Sequence, residues 1–201
     1  MNRVWESGAH NPEAVLARME ELRQKRQSLG ELGAQVLEEG AFISGLFAAL
    51  RPGVPWAEAG EIVRQRCARP FEVSAFYLSR VEWTSDLIHF PYFFEAGRVR
   101  ERASRPRSER PGLTGRVLEL ARPLYLDSKE ACMAEGMVLS DAELTTGLMN
   151  QTWFGVPLFG PDRRTTGVMA FQSFQPAAFP PHRLQLMEAV AGITALHLGS
   201  A

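Results

Sequence analysis

The residues able to do chemistry are few and scattered. The four histidines, His10, His89, His182 and His197, lie far apart and on different predicted elements. No Gly-x-Ser-x-Gly, His-Glu-x-x-His, Walker or Rossmann glycine pattern occurs. Cys67 and Cys132 have neither the spacing of a metal cluster nor that of a disulfide framework. His89 lies on a predicted strand among aromatics and is the one histidine expected near a pocket. A hydrogen-bonded structural histidine and a ligand or base are both open readings of it. The stretch Arg98 to Arg110 is the one basic cluster, with Arg100, Arg102, Arg105 and Arg107 between its ends. Glu95, Glu101 and Glu109 dilute it, and Pro106 and Pro111 break it. It reads as an exposed loop, with an anion contact as the alternative. Gly112-Leu113-Thr114-Gly115 opens a short predicted helix. Without the full P-loop pattern, Thr114 and the glycine amides read as a structural cap and not a phosphate site. No catalytic constellation emerges, and a non-enzymatic protein is expected.

Aromatics are the remaining clue. Phe76, Tyr77, Phe90, Tyr92, Phe93, Phe94 and Trp153 fall on strands predicted to be neighbours. Most would fill the core, and those facing a lid would line a cavity.

The elements that must position these residues centre on one hairpin. Trp153 to Phe159 and Thr166 to Phe174 are short apolar runs, joined by the turn-forming Gly160-Pro161-Asp162-Arg163-Arg164. Few polar residues interrupt them, which predicts strands buried on both faces at the centre of a sheet. Upstream, residues 1–11 are polar and expected to fray. Asn11-Pro12-Glu13 predicts a helix start. Val15, Met19, Leu22, Leu29, Leu32 and Val36 then repeat at spacings near 3.5, interrupted by Arg26. That repeat suits a packed helix or a two-chain coiled-coil seam. Gly30 and Gly33 predict a break, after which a second helix runs to Leu50. Trp56 to Arg69 predicts a helix stopped by Pro70. Phe71 to Val81 and Leu87 to Phe94 predict strands, and Pro91 implies an edge position or a bulge. Alternation along the second strand separates His89 from Phe90 and Tyr92. Leu124 to Leu126 predicts a short strand, with Asp127 or Ser128 capping a short helix after it. Residues 137–151 lack a period and read as a loop or lid. The last helix carries Leu184, Met187, Val190, Ala191, Thr194 and Leu198.

The bulk numbers limit the function classes. At 201 residues the chain suits one domain with an accessory helix. A net charge of −1 excludes the global basic field of a nucleic-acid binder. No apolar run approaches the roughly 18 residues that span a bilayer. The N-terminus lacks the apolar core of a signal peptide, so a cytoplasmic protein is expected.

Four words in order resemble a GAF domain: Ile88-His89-Phe90-Pro91-Tyr92-Phe93; Gly112 to Leu118 running on to Arg122-Pro123-Leu124; Trp153-Phe154-Gly155-Val156-Pro157-Leu158; and Thr166 to Phe174, followed by an amphipathic helix. The resemblance covers roughly residues 31–199. It implies an α+β fold with a five- or six-stranded antiparallel sheet. N- and C-terminal helices would share one face, and the other would carry a ligand cavity roofed by residues 112–151. Residues 1–30 would form a tail and dimer helix, and 31–201 the GAF-like domain. GAF domains are ligand-sensing modules of bacterial signalling proteins, which implies a regulatory role. The expected cavity residues are Phe76, His89, Tyr92, Cys132, Trp153 and Gln172.

The resemblance names no cofactor. The Cys-His pair of bilin-binding relatives and the Asn-Lys-Phe-Asp-Glu signature of cyclic-GMP-binding relatives do not occur. A subgroup that reduces free methionine sulfoxide needs two cooperating thiols, and Cys67 is expected on the opposite side of the sheet from Cys132. The expected partners are a small molecule, a second copy of the chain in a parallel dimer through residues 12–50, and a signalling protein, with neither nucleic acid nor membrane. The alternative is a ligand-free dimerisation scaffold, and a weaker one is a thiol enzyme of the sulfoxide-reducing type.

Overall fold

The computed structural model describes residues 12–109 and 111–199, without the side chains of Pro12, Val15, Arg69, Asp141 and Ala142. The polar tail, Asn11 as a cap, the Val15 side chain and Arg110 therefore lie outside the described residues. The chain divides into two compact units, Met1–Ala41 and Phe42–Ala201.

Helix α1 spans Pro12–Ala49 without interruption. The break expected at Gly30 and Gly33 is absent. A helical glycine costs only about 1 kcal/mol relative to alanine, and side-chain pairs one turn apart bracket the pair. Arg18 donates to Glu21 at 2.6 Å, Lys25 to Glu21 at 2.7 Å, Gln27 to Glu31 at 3.0 Å and Gln35 to Glu39 at 2.8 Å. Each such pair adds a few tenths of a kcal/mol.

Within the second unit, α2 (Trp56–Phe71) holds Pro70 in its last turn and ends at Glu72 in a left-handed conformation. Strands β1 (Ala75–Glu82), β2 (Leu87–Glu95), β3 (Arg98–Val99) and β4 (Arg105–Pro106) follow. Next come α3 (Gly112–Leu120), β5 (Leu124–Leu126), α4 (Lys129–Ala134) and α5 (Asp141–Thr146). The hairpin β6 (Thr152–Phe159) and β7 (Thr165–Ser173) precedes α6 (Pro181–His197). One antiparallel sheet runs β3-β2-β1-β7-β6-β5, with β4 pairing on β2. Its seven strands exceed the five or six expected because β3 and β4 are two-residue pieces that sequence periodicity cannot register. The hairpin is buried on both faces, as its apolar runs require.

The two faces of the sheet carry separate cores. On one, Phe76, Leu78, Tyr92, Phe154, Val156 and Phe171 pack with Leu46, Val63, Met187 and Val190, from the end of α1, α2 and α6. On the other, Tyr77, Phe90, Phe93, Trp153 and Ala170 pack with Leu113, Val117 and Cys132 from the roof.

Strand β2 changes face at a bulge. Leu78 pairs with Tyr92 but Arg80 pairs with His89, so β2 carries one extra residue around Pro91. Before it, Ile88 and Phe90 face the roof; after it, Phe93 does. Simple alternation therefore grouped Tyr92 with Phe90, whereas Tyr92 faces the helices and Phe90 the roof.

Candidate functional site

Between the sheet and the roof lies a small cavity of about 30 Å³, close to the volume share of one water molecule. Tyr77, Phe90, Phe93 and Trp153 form its aromatic walls, and Thr114, Met137 and Val138 close it from the roof. Glu95, Glu143, Gln172, Arg102 and Arg105 supply its charged and amide groups. An open cleft of about 430 Å³ adjoins it, sharing Phe93, Glu95 and Arg102 as a common wall and adding Arg98, Arg100 and Ser140.

The polar groups are held by a buried network. Ser140 caps α5 and forms a reciprocal capping box with Glu143. Its hydroxyl donates to Glu95 Oε1 at 2.6 Å, joining the lid segment to the end of β2. Glu143 accepts from the Asn150 backbone and side-chain nitrogens at 3.2 and 3.1 Å. Ser74, ahead of β1, donates to Asn150 Oδ1 at 2.7 Å. The segment expected to be an aperiodic lid is thus a short capped helix tied to the end of β2 and, through Asn150, to the adjacent start of β1. Ser140-x-x-Glu143 was its sequence signal.

Thr114 does not cap α3, whose start has no side-chain cap. It is buried instead and bonds the Tyr77 hydroxyl at 2.9 Å. The arginine cluster is also more engaged than an exposed loop. Arg102 lies over Phe93 and Phe90, 4.6 and 5.2 Å from their centroids, and Arg105 lies 5.2 Å from the Phe90 centroid. Arg107 pairs with Asp86 at 2.8 Å.

Of the six residues expected at the cavity, Trp153 and Gln172 line it. Phe76 and Tyr92 lie across the sheet in the helix-side core. There the Tyr92 hydroxyl donates to Glu61 and accepts from Arg64 Nε at 2.8 Å. His89 sits at the sheet margin, away from the cavity, 2.7 Å from the Ser104 hydroxyl and 3.5 Å from Glu82. Cys132 is fully buried in the roof-side core and is not part of the cavity wall. Burial, aided by the Glu143 and Asp127 charges, pushes its thiol up to about 11. Cys67 lies in the opposite core, where burial pushes its thiol far up. Glu95, Glu143 and Arg102 were not anticipated at the cavity. Their side chains reach it through the β2 bulge, the α5 capping box and the β3–β4 loop.

A groove of about 470 Å³ lies at the far end of α6, between Trp56, Phe159, Pro161 and Leu196, with Arg80 and Glu82. It is broader than the roofed cavity but lacks a comparable buried polar network. Among the described residues no group of three His, Cys, Asp or Glu is placed to hold a metal ion. None of the described helices is long and apolar enough to cross a membrane.

A single antiparallel sheet with helices on one face and a roofed polar cavity on the other defines the class of the domain as α+β. The family model described as GAF domain matches residues 56–198, more than half of the chain, and the chain belongs to that family. Among solved structures it is similar to the GAF domain of an Acinetobacter phosphoenolpyruvate-protein phosphotransferase. The TM-score is 0.63 at 14% identity, covering 81% of this chain and 90% of that one. The corresponding domain from Coxiella burnetii gives 0.64 at 13%, covering 80% and 92%. A free methionine-R-sulfoxide reductase from Neisseria meningitidis, solved with its substrate, gives 0.53 at 17%, covering 70% and 73%. At these identities the likeness is one of fold, and it embraces regulators and enzymes alike. No curated protein matches the chain.

Proposed function

We propose that the chain is a non-catalytic, small-molecule-sensing regulatory module of the cytoplasm. It works as a parallel homodimer and passes its state to a signalling partner through its terminal helices. The observation that carries this reading is the convergence of buried Glu95, Glu143 and Gln172 on an aromatic-walled cavity beneath a tethered lid. Polar groups are costly to bury unless they are hydrogen-bonded, and Glu95 also borders the cleft through which a ligand would enter. A dimer is supported by Leu22, Leu29 and Val36 at seven-residue spacing on α1, each more than half exposed.

An enzyme of the sulfoxide-reducing type fits less well. The two thiols occupy cores on opposite faces of the sheet, and burial raises both. A ligand-free scaffold is favoured by one observation, the small size of the cavity, which holds about one water.

A thermal-shift screen over nucleotides, cyclic nucleotides, amino acids, haem and tetrapyrroles separates sensor from scaffold. A ligand at a hundred times its dissociation constant stabilises by about 2.7 kcal/mol. A hit weakened by Trp153→Ala supports the sensor. A screen without any hit favours the scaffold.

A further inference from the structure

We propose that Arg102 is a built-in occupant of a cation site. The ligand that opens this cavity carries a guanidinium or primary ammonium group, which replaces Arg102 on the faces of Phe90 and Phe93. The proposal rests on the sensor reading above and gives its ligand a chemical class.

Three observations carry it. The Arg102 guanidinium lies 4.6 Å from the Phe93 centroid and 5.2 Å from that of Phe90, within cation–π range. It makes no hydrogen bond or ion pair with another described residue. A guanidinium has five N–H donors. One held only by ring faces is therefore easily exchanged for another cation that brings better hydrogen bonds.

The second observation is a pair of waiting acceptors. Gln172 is 6% exposed and lines the cavity, yet its side-chain amide bonds no other described residue. Glu95 is 5% exposed, and Ser140 engages only its Oε1. Its Oε2 is left without a hydrogen bond to a described residue. These unbonded atoms keep a narrow contact with solvent, and the N–H donors of a bound cation would replace that water.

The third is charge. In the closed form Arg102 and Arg105 face Glu95 and Glu143 across the cavity. Arg105 is fixed by its bond to the Pro111 carbonyl at 2.9 Å. Arg102 also lines the open cleft, so it has somewhere to go. Once it swings out, two carboxylates face one guanidinium, and the vacated space favours a cation. In the cleft, Arg98 and Arg100 would meet an anionic tail on the same molecule.

L-Arginine, which has both ends, is the probe, with agmatine as the same head without the carboxylate. Binding is measured by calorimetry and thermal shift on the full chain and on Arg102→Ala, Glu95→Gln and Gln172→Ala. The expected result is that L-arginine binds the native chain. Removing the internal competitor in Arg102→Ala should tighten it roughly 2- to 30-fold, the range of a cation–π contact. Glu95→Gln and Gln172→Ala should weaken it. If either of those variants fails to fold, the direction of the Arg102→Ala change still decides. Weaker L-arginine binding in Arg102→Ala overturns the proposal, because Arg102 would then be a ligand contact and not an occupant. Failure of both probes to bind the native chain and Arg102→Ala also overturns it. In that case a hit from another compound in the broad screen leaves the sensor reading standing, and a screen without hits removes both.

Discussion

The Trp153 ring covers Gly155, two residues along β6, so closely that a Cβ at Gly155 would overlap its Cη2 and lie 2.6 Å from its Cζ3. Residues two apart on a strand share a face. Glycine here is what lets the indole fold down along the strand and form the cavity wall. At Gly167 the obstruction is backbone: a Cβ would overlap the carbonyl oxygen of Ser79, and the Trp56 ring edge lies 3.0 Å away. Valine at either position should destabilise by roughly 1–3 kcal/mol through overpacking. Gly167→Val should be the worse, because a side chain can move aside but β1 cannot part from β7 cheaply. Denaturant midpoints check this, and native-like midpoints for both would show room that the packing denies.

Those two glycines were legible because glycine inside a buried strand needs a reason. The hairpin, α2, α3, α4, α6 and the Pro91 irregularity were legible on the same grounds of period and turn chemistry, whereas α5 was not. The faces of β2 were not. One inserted residue reverses parity, so alternation grouped Tyr92 with Phe90 although the two lie on opposite faces. Glu95 and Arg102 escaped notice because a charged residue near a strand end or in a loop normally marks solvent. Only the fold brings them under the lid.

The Ser140–Glu95 hydrogen bond makes its own prediction. Ser140→Ala removes the N-cap of α5 and the 2.6 Å bond to Glu95 together. Loss of a cap costs about 0.5–2 kcal/mol. The effect should be local, because Leu144 of α5 is exposed and adds little to the core. Amide hydrogen exchange should rise across residues 137–151 and change little in β6 and β7. Equal acceleration in the central strands would mean that the lid and sheet open as one unit.

On the helix side, Glu61 should give the protein a specific acid sensitivity. The Arg64 guanidinium, with smaller help from Tyr92 and Gln65, lowers its carboxyl from 4.5 to about 2. A depressed carboxyl binds its proton more weakly in the folded state, so its contribution to stability is complete above pH 4.5. That contribution falls away as the pH drops towards about 2. Glu61→Gln should be less stable than the native chain near neutrality, and the difference should shrink across that window. The carboxyl is partly exposed and screened, so the change should be modest. Urea midpoints at several pH values test it, and a pH-independent difference would assign the role to packing.

Both cysteines should be slow towards alkylating reagents. A thiol moved from 9.0 to about 11, as for Cys132, has about a hundredfold less thiolate at pH 8. Burial removes access as well. Iodoacetamide labelling followed by mass spectrometry should leave Cys132 and Cys67 unmodified in the time that labels free cysteine fully. Rapid labelling of Cys132 in the folded protein would reopen the thiol-enzyme reading.

The exposed face of α1 yields the last prediction. Leu22, Leu29 and Val36 recur every seven residues and are 51%, 69% and 58% exposed. Gly33 and Gly40 have open space where a Cβ would stand. A strict seven-residue repeat is the period of a left-handed supercoil, and glycines beside the seam let a second backbone approach. A lone surface helix would not place leucine there so regularly, since each exposed leucine forgoes about 1.5–3 kcal/mol of burial. The full chain should therefore sediment as a dimer at roughly tens of micromolar, and dilution should dissociate it by mass action. Leu22→Glu with Leu29→Glu should yield monomer without loss of the sheet's cooperative melting, because the substituted residues belong to the first unit. A native chain that is monomeric at that concentration sinks the idea. So does a dimer that survives both substitutions, which would place the interface on the second unit instead.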